Sequence, residues 1–524
     1  MKNTNLISKT FQNILFIFIT LLASTPAFSA EMAWFKGSVD QALAQAKESK
    51  KPTLIYWGAA WCPPCHALKA VAFKDKEFTD ASKNFVTVYL DGDTTDAQFW
   101  GEKFAITGYP TLLVLNENGE EMQRLGASQP VAGLTAELLQ AGRNAQPIES
   151  LLEDVLNSPD PLKIPIDSWQ RLAHHGWDYN PKWDNRAEEL TAKLNKIAEK
   201  IPGTFADEKL EFKLLVFNRR ITGLKEGEAL SVKEKSELES LIKSILSDKK
   251  QMFVHMQSMI FGAPTIMKGL YPDPEKAKIP TFRFVMEYRK ALWTLLEEKS
   301  LTLQNRTYII STIVDLSYGT NVQYPELTSA EQIQIKTTLI GFLNKAKNDH
   351  ERVVIFNVMP DAFKKIGETD EARKLLLKNE NKVGVKNYIY STLSELDLSQ
   401  GKLDSALNWA EKAYRISEGA ATRAQWGRNY VSLLIDMTPE NAERIEKDAF
   451  SIFNEGLSVT DGLKGRNKRS MTKLQTKFLT WAKEKNTPLD AKKYAALSAE
   501  KCVGQVSEFV NQCRDFVKDF EAKK

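Results

Sequence analysis

Apolar residues follow two different patterns along this chain. Short, unbroken apolar runs at residues 53–58 and 112–115, each bounded by turn residues, are typical of buried β-strands. Beyond about residue 165, apolar residues recur three and four positions apart between charged faces, which is typical of amphipathic helices. The clearest such segments are residues 185–201, 232–248, 276–299, 329–347 and 490–502. The chain is therefore predicted to begin as an α/β region and to continue as an all-helical region of about 360 residues.

A further apolar run, residues 14–23, lies near the N-terminus, behind Lys2 and Lys9 and ahead of several small residues. This arrangement predicts a secretory signal peptide over residues 1–30. The run is shorter than the ~20 residues that a membrane-spanning helix needs, and no later run is comparable. We therefore expect an exported, periplasmic chain that does not span the membrane after cleavage, in a compartment where disulfides form.

Prolines interrupt the helical pattern between the two regions and predict a linker over residues 146–165. This boundary divides the mature chain into an α/β domain over residues 31–145 and a helical domain over residues 166–524. The formal net charge of +4 is too small to indicate a nucleic-acid partner. A local basic cluster is expected to be a solvated loop and helix start: Lys464, Arg466, Lys468, Arg469 and Lys473.

The strongest candidate chemistry lies in the segment Trp61-Cys62-Pro63-Pro64-Cys65-His66, directly after the first predicted strand. Two cysteines two residues apart are placed for thiol–disulfide exchange. A helix-compatible segment follows, so Cys62 is expected at a helix N-terminus, where unpaired N–H groups and the helix dipole favour a thiolate. Cys65, one turn further, is placed to resolve a mixed disulfide.

Residues 34–145 resemble the thioredoxin superfamily. The resemblance rests on W-C-x-x-C after a strand, on Tyr109-Pro110-Thr111 ahead of two strands joined by a turn, and on an opening helix over residues 38–50. This segment is similar to periplasmic thioredoxin-like domains such as the C-terminal domain of the bacterial transmembrane disulfide reductase. The resemblance implies an α/β thioredoxin-like fold with a central sheet flanked by helices, Cys62 as nucleophile, and a cis Pro110 facing the cysteine pair. It also implies that Trp61, Tyr109 and Pro110 bind substrate.

The chain departs from the family pattern beside the cysteines. Tyr56 stands where many members carry a buried Asp that assists proton transfer with the resolving thiol. Lys69 stands where the reductase domain carries a Glu, one turn along the same helix face, and would favour nearby thiolates. The residues expected to tune the redox potential are Pro63, Pro64, His66 and Lys69. For His66, a solvated side chain without such a role is the simpler interpretation.

Other chemistries remain as alternatives for the same segment. C-x-x-C-H is the attachment signature of a c-type haem, but that interpretation needs an open loop and gives the preceding strand no role. A zinc site would need a second Cys or His pair at metal spacing, and a copper site would be supported by a Met- or His-rich segment; the sequence has neither. His255 and His350 stand alone in the sequence. We therefore predict no cofactor and no metal.

The helical region contains a repeated pattern. Residues 367–372 recur as residues 401–406, each beginning with Gly and ending with Ala, at an offset of 34 residues, the tetratricopeptide period. Glycine permits a tight turn between helices, and alanine lets paired helices approach closely. Residues 350–456 therefore resemble tetratricopeptide repeats, with an irregular helical bundle as the alternative. Such arrays usually bind peptides or protein segments, so we expect this domain to bind a client or partner.

Two further cysteines, Cys502 and Cys513, lie near the C-terminus. In one unbroken helix they would be ~16 Å apart, too far for a disulfide. Gly504 breaks that helix and Ser507 can cap a final one, so a structural disulfide across a helical hairpin is expected. Two buried free thiols and a second exchange pair remain alternatives.

These observations predict an exported thiol–disulfide oxidoreductase that reduces or isomerises disulfides of protein clients through Cys62 and Cys65. A partner protein must supply or remove electrons, for example a membrane electron relay. The alternative is a non-catalytic adaptor or scaffold, in which the repeats bind a partner and the thioredoxin-like domain is a recognition module.

Overall fold

The computed structural model describes residues 32–126, 129–273, 277–318, 326–503 and 507–521. The predicted signal peptide lies outside the described residues. A mixed sheet flanked by helices forms the N-terminal region, and the rest of the described chain is helical, which confirms the predicted fold class. None of the described helices is long and apolar enough to cross a membrane.

The α/β region is built on four strands in the order β2-β1-β3-β4. β1 is parallel to β2 and antiparallel to β3, and β3 is antiparallel to β4. The elements of this region are α1 (Val39–Ser49), β1 (Thr53–Gly58), α2 (Pro63–Ala70), α3 (Lys76–Ser82), β2 (Val86–Asp91), α4 (Thr95–Lys103), β3 (Thr111–Leu115), β4 (Glu121–Leu125) and α5 (Val131–Arg143).

β1 lies in the middle of the sheet and every one of its residues is buried. Its side chains alternate between two apolar cores: Leu54 and Tyr56 belong to the core on one face, and Ile55 and Trp57 to the core on the other. Because helices cover both faces, the strand has a continuous apolar run instead of an alternating pattern. The end of β1 therefore leads into the cysteine segment from a rigid, fully packed position.

The helical region follows the sheet without a further strand among the residues described. Its helices are α6 (Ile148–Asn157), α7 (Ile166–His174), α8 (Ala187–Lys200), α9 (Ala206–Thr222), α10 (Val232–Leu246), α11 (Lys249–Val254), α12 (Met256–Phe261), α13 (Ala263–Leu270), α14 (Lys278–Leu295), α15 (Leu303–Tyr318), α16 (Ser329–Lys345), α17 (Asp349–Phe356), α18 (Met359–Lys365), α19 (Thr369–Asn379), α20 (Lys386–Ser399), α21 (Leu403–Arg415), α22 (Ala420–Met437), α23 (Ala442–Leu457), α24 (Gly465–Glu484), α25 (Ala491–Lys501) and α26 (Ser507–Glu521).

The expected linker, residues 146–165, contains a packed helix. α6 buries Ile148, Leu151, Leu152 and Val155 in a core that also includes helices α7 to α9. Short 3-10 turns, including Pro161–Lys163, connect this part to its neighbours. The segment between the two predicted domains is thus built into the helical region instead of being an extended connection.

The glycines of the repeated pattern lie at turns between paired helices. Gly367 joins α18 to α19 and Gly401 joins α20 to α21, and both adopt positive φ, +80° and +72°, which favours glycine. Ala372 and Ala406 are fully buried in the helices that follow. The repeated sequence pattern requires two helical hairpins with glycine at the turn and a buried alanine in the second helix, and both hairpins have this geometry. The assignment to tetratricopeptide repeats stays a prediction.

Near the C-terminus, Cys502 at the end of α25 and Cys513 in α26 form a disulfide, with their Cα atoms 5.5 Å apart. Both side chains are buried in the helical core. The bond connects two helices that pack against each other, so it closes a helical hairpin.

Glu137 of α5 is buried where α5 packs against α7, and burial raises the pKa of its carboxyl to about 7 from 4.5. Between about pH 4.5 and 7 the folded chain therefore holds a proton that the unfolded chain has lost, and stability falls as the pH rises through this window. We expect Glu137→Gln, which keeps the shape without a charge, to raise the Tm by about 2–4 °C at pH 8 and to leave it unchanged at pH 4.5. Thermal unfolding followed by circular dichroism at both pH values measures this, with exposed Glu199→Gln as the control. Equal pH dependence in Glu137→Gln and the parent chain would contradict it.

Candidate functional site

The cysteine pair lies where β1 ends and α2 begins. Cys62 is the N-cap of α2, its Sγ accepts a hydrogen bond of 3.2 Å from the backbone N–H of Cys65, and the two sulfurs are joined in a disulfide. Pro63 and Pro64 begin the helix, where proline fits because the first N–H groups have no partner within the helix. The N–H donor and the helix dipole would both stabilise a negative charge on the Cys62 sulfur.

The segment before β3 packs against the same apolar core as the cysteine pair. The Tyr109–Pro110 peptide bond is cis, and Tyr109 and Trp61 both pack against the apolar core that contains Cys62 and Cys65. Burial raises the pKa of the Tyr109 hydroxyl. Trp61 and Tyr109 thus both contact the core that holds the cysteine pair, while the roles of Trp61, Tyr109 and Pro110 in substrate contact stay predictions.

Side chains from the helical region lie over this site. We call them the helical cover, and they are His350, Thr422, Trp426 and Arg466. Trp426 packs edge-on against Trp61, with ring centroids 6.4 Å apart. Thr422 donates from its backbone N–H and its hydroxyl to the two carboxylate oxygens of Asp93, each at 2.6 Å. These contacts join the two regions at Asp93 and at Trp61, the residue before Cys62, and Cys62 itself is only 1% exposed.

Arg466 contradicts the prediction of a solvated basic cluster. Its guanidinium carbon lies 4.7 Å from the ring centre of Trp61 and 5.4 Å from that of Tyr109, and the residue is 8% exposed. Its backbone N–H donates to the side chain of Gln98 at 2.8 Å, which ties the start of α24 to α4. Burial lowers the pKa of Arg466. A guanidinium group keeps its positive charge in proteins. A cation is thus held against the two aromatic rings beside the cysteines.

His66 is buried and not solvated, which corrects the simpler interpretation of its role. Its Nε2 lies 2.5 Å from the carbonyl oxygen of Ala60, and its Nδ1 lies 2.5 Å from Nδ1 of His350 in α17. Burial lowers the pKa of His66 to about 4, so the ring is neutral near neutral pH. His350, which stood alone in the sequence, is therefore a direct neighbour of the C-x-x-C-H segment.

The two departures from the family pattern also have defined surroundings. Tyr56 is buried between Trp34 and Tyr89, with ring centroids 5.9 and 5.3 Å away, and burial raises the pKa of its hydroxyl far above the usual range. It stays protonated and cannot serve as the base that an Asp would provide. The ammonium group of Lys69 lies 5.3 Å from the ring centre of Tyr89, and burial lowers the pKa of Lys69.

The same packing bears on the alternatives for the site. A c-type haem would need an open loop around Cys62 and Cys65, whereas both are buried and Cys65 lies within α2. Three side chains could together hold a metal ion: His66, Asp349 and His350. Neither Asp349 nor His350 was a candidate in the sequence, because no local spacing connects them to His66.

A mixed four-stranded sheet with a dithiol pair at a helix N-terminus defines a thioredoxin-like, oxidoreductase-type domain. Residues 33–117 match a family model described as thioredoxin-like. The chain is 34% identical over 100 residues to a thioredoxin from Alicyclobacillus acidocaldarius subsp. acidocaldarius, covering 19% of this chain and 90% of that protein. This chain belongs to the thioredoxin family.

Other similarities also cover a minor part of this chain. Human nucleoredoxin is 26% identical over 95 residues, which covers 14% of this chain and 22% of nucleoredoxin. The solution structure of a thioredoxin from Thermus thermophilus is 25% identical and covers 21% of this chain and 86% of that one, with a TM-score of 0.20.

Proposed function

We propose that this protein is an exported thiol–disulfide oxidoreductase that acts on disulfides of protein clients in the periplasm. The observation that carries the proposal is Cys62 at the N-cap of α2, with its sulfur accepting the Cys65 N–H in the apolar core against which Tyr109 packs. A thiolate is the attacking species in disulfide exchange, and this position favours a thiolate. Membership of the thioredoxin family supports the same class of reaction, thiol–disulfide exchange.

In the reducing direction, the Cys62 thiolate attacks one sulfur of a client disulfide. A Cys62–client disulfide forms and the second client sulfur leaves as a thiolate, which takes up a proton. The Cys65 thiol loses its proton and its sulfur attacks the Cys62 sulfur, which forms the Cys62–Cys65 disulfide and releases the first client sulfur. Two electrons pass from the pair to the client, which takes one proton from Cys65 and one from water, and a dithiol partner protein must reduce the Cys62–Cys65 disulfide before the next cycle.

The helical region would control which clients reach the pair. In the described conformation the helical cover lies on Trp61 and Tyr109, the surface that a client backbone would need. A client or partner that binds the helical region, including the repeat-like hairpins, would therefore have to shift the helical cover before exchange. Client choice and access to Cys62 would then be linked.

The adaptor hypothesis is the second candidate, and two observations favour it. Tyr56 cannot supply the proton transfer of the usual Asp, and Cys62 is nearly inaccessible. Under this hypothesis the helical region binds its partner and the cysteine pair turns over slowly or not at all.

The first test is the reduction potential of the Cys62–Cys65 pair. The purified chain is equilibrated in glutathione buffers, and alkylated thiols are assigned to each cysteine by peptide mass spectrometry, with Cys502–Cys513 as the internal comparison. We expect a reversible two-electron titration of the first pair. A potential near ~−270 mV would identify a reductase, and one near ~−120 mV an oxidant. A Cys62–Cys65 pair that never titrates would overturn the proposal in favour of the adaptor.

A further inference from the structure

Three metal-ligating side chains meet where the helical region contacts α2. His66 comes from α2, and Asp349 and His350 form the first turn of α17. One ligand atom from each lies within 4.8 Å of the other two. Within the described part of the chain, this is the one group of three or more His, Cys, Asp or Glu side chains with such spacing. The group includes the histidine of C-x-x-C-H but neither cysteine.

The hydrogen bonds of His66 fix which of its nitrogens can bind a metal. Its Nε2 lies 2.5 Å from the Ala60 carbonyl oxygen, which can only accept, so Nε2 carries the hydrogen and Nδ1 carries the lone pair. That lone pair accepts from Nδ1–H of His350, 2.5 Å away, and zinc binding would require the hydrogen of His350 to be on Nε2 instead. Histidine ligands commonly donate their second N–H to a carbonyl in this way, which orients the coordinating nitrogen. His66 therefore already has the arrangement of a metal ligand.

We propose that Nδ1 of His66, Nδ1 of His350 and the carboxylate of Asp349 bind one Zn²⁺ ion. Two imidazoles and a carboxylate form a set that zinc accepts, with water in the fourth position. With Zn–N distances of about 2.0–2.1 Å and tetrahedral angles, the two nitrogens must be about 3.3 Å apart, so the rings must separate by less than about 1 Å. The side chains of His350 and Asp349 are 28% and 42% exposed, so this side of the group has room to move and access to water.

Charges around the group act in both directions. Asp349 supplies the negative charge that attracts a cation. Lys69 lies close enough to affect both histidines, and Lys74 affects His350, and their positive charges oppose binding. The net charge of the group with these lysines therefore predicts weaker binding than at a zinc site with several thiolates.

A bound ion would connect the two regions at the redox site. Two ligands belong to α17 and the third to α2, the helix that carries the cysteine pair at its start. Zinc would therefore hold the helical cover in place over Cys62. This consequence rests on the proposed function, whereas zinc binding itself does not.

The test is calorimetric titration of the purified chain with zinc chloride, with both disulfides intact so that no thiol competes. We expect one Zn²⁺ per chain and a zinc-dependent rise in Tm. His350→Ala should lower the affinity by at least about 10-fold and remove the rise in Tm. His174→Ala, a partly exposed histidine on α7, is the matched control and should bind zinc as the parent chain does. Calcium, which prefers oxygen ligands, should not bind at this group.

Asp349→Asn is the second variant, because its half-exposed side chain can be changed without disturbing the core. It should weaken zinc binding while the Tm without zinc stays the same. Absence of zinc binding, or equal affinity in His350→Ala and the parent chain, would overturn the zinc site. A chain that binds no zinc but titrates at Cys62–Cys65 loses only this inference, and a chain that binds zinc without titrating loses only the proposed function.

Discussion

Replacing Cys62 by Ser is expected to reduce disulfide reduction by this protein to less than about 1% of the parent rate. Cys62 alone combines the N-cap position with an N–H donor to its sulfur, so it is the group that attacks the client. Insulin reduction with a dithiol donor measures the rate. Replacing Cys65 by Ser should instead leave the attack intact but prevent resolution, so that Cys62–client disulfides accumulate and are seen on non-reducing gels.

The double variant Cys502→Ser/Cys513→Ser is the matched control, since it removes a disulfide that lies at the C-terminal hairpin and not at the redox site. It should keep reductase activity. A Cys62→Ser chain that reduces insulin at the parent rate would exclude the catalytic role. A Cys62→Ser chain that still binds its partner, in a protein with no measurable parent activity, would establish the adaptor.

The residues that could be predicted from the sequence are those whose positions depend on near neighbours. β1 is a continuous apolar run because both its faces are covered, and this run leads directly to Cys62. The helix after the pair begins at two prolines, which fit a helix start and little else. The family resemblance placed Pro110 beside the pair, although 45 residues separate it from Cys65. Local pattern and resemblance together were sufficient for the position of the cysteine pair at a helix start and for the cis Tyr109–Pro110 bond, while the roles of these residues stay predictions.

The helical cover could not be predicted, because its residues are far away in the sequence. Arg466 bonds to a residue 368 positions away and His350 to one 284 positions away. Arg466 lies among other basic residues, a pattern that usually indicates a solvated face. Its burial follows from the packing of α24 on α4, which no periodicity in either segment reveals.

The packed helix α6 illustrates a different limit. The prolines of residues 146–165 indicated a linker, yet Ile148, Leu151, Leu152 and Val155 have the three- and four-residue spacing of a buried helix face. The helical signal was present in the sequence. Pro147 lies directly before the helix, a position where proline is compatible with a helix start. Here the helix pattern should have been given more weight than the prolines.

Removing two side chains of the helical cover is expected to speed reduction of the Cys62–Cys65 disulfide. Arg466 stacks on Trp61 and Tyr109, and Trp426 packs edge-on against Trp61. A desolvated cation–π contact contributes about 2 kcal/mol and an aromatic pair about 0.5–1.5 kcal/mol. If reduction requires an open state, weakening the closed state by the sum, about 2.5–3.5 kcal/mol, raises the open population roughly 60- to 300-fold.

The measurement is the rate at which dithiothreitol reduces the pair in the parent chain and in Trp426→Ala/Arg466→Ala, followed by quenched alkylation and mass spectrometry. Arg444→Ala is the matched control, because Arg444 also lies over an aromatic ring, that of Tyr430, but within the helical region. Its rate should equal that of the parent chain. The single variant Arg466→Lys keeps the charge but not the planar stacking, and should lie between parent and double variant.

The direction of the change decides what the helical cover does. A faster reaction in the double variant, with Arg444→Ala at the parent rate, means that the helical region limits access to Cys62, and that a client must displace it. An unchanged rate contradicts this, because it means that reagents reach the pair without movement of Trp426 or Arg466. A slower rate also contradicts it and would give Arg466 a different role, in which its buried positive charge stabilises the thiolate that leaves when the disulfide is reduced.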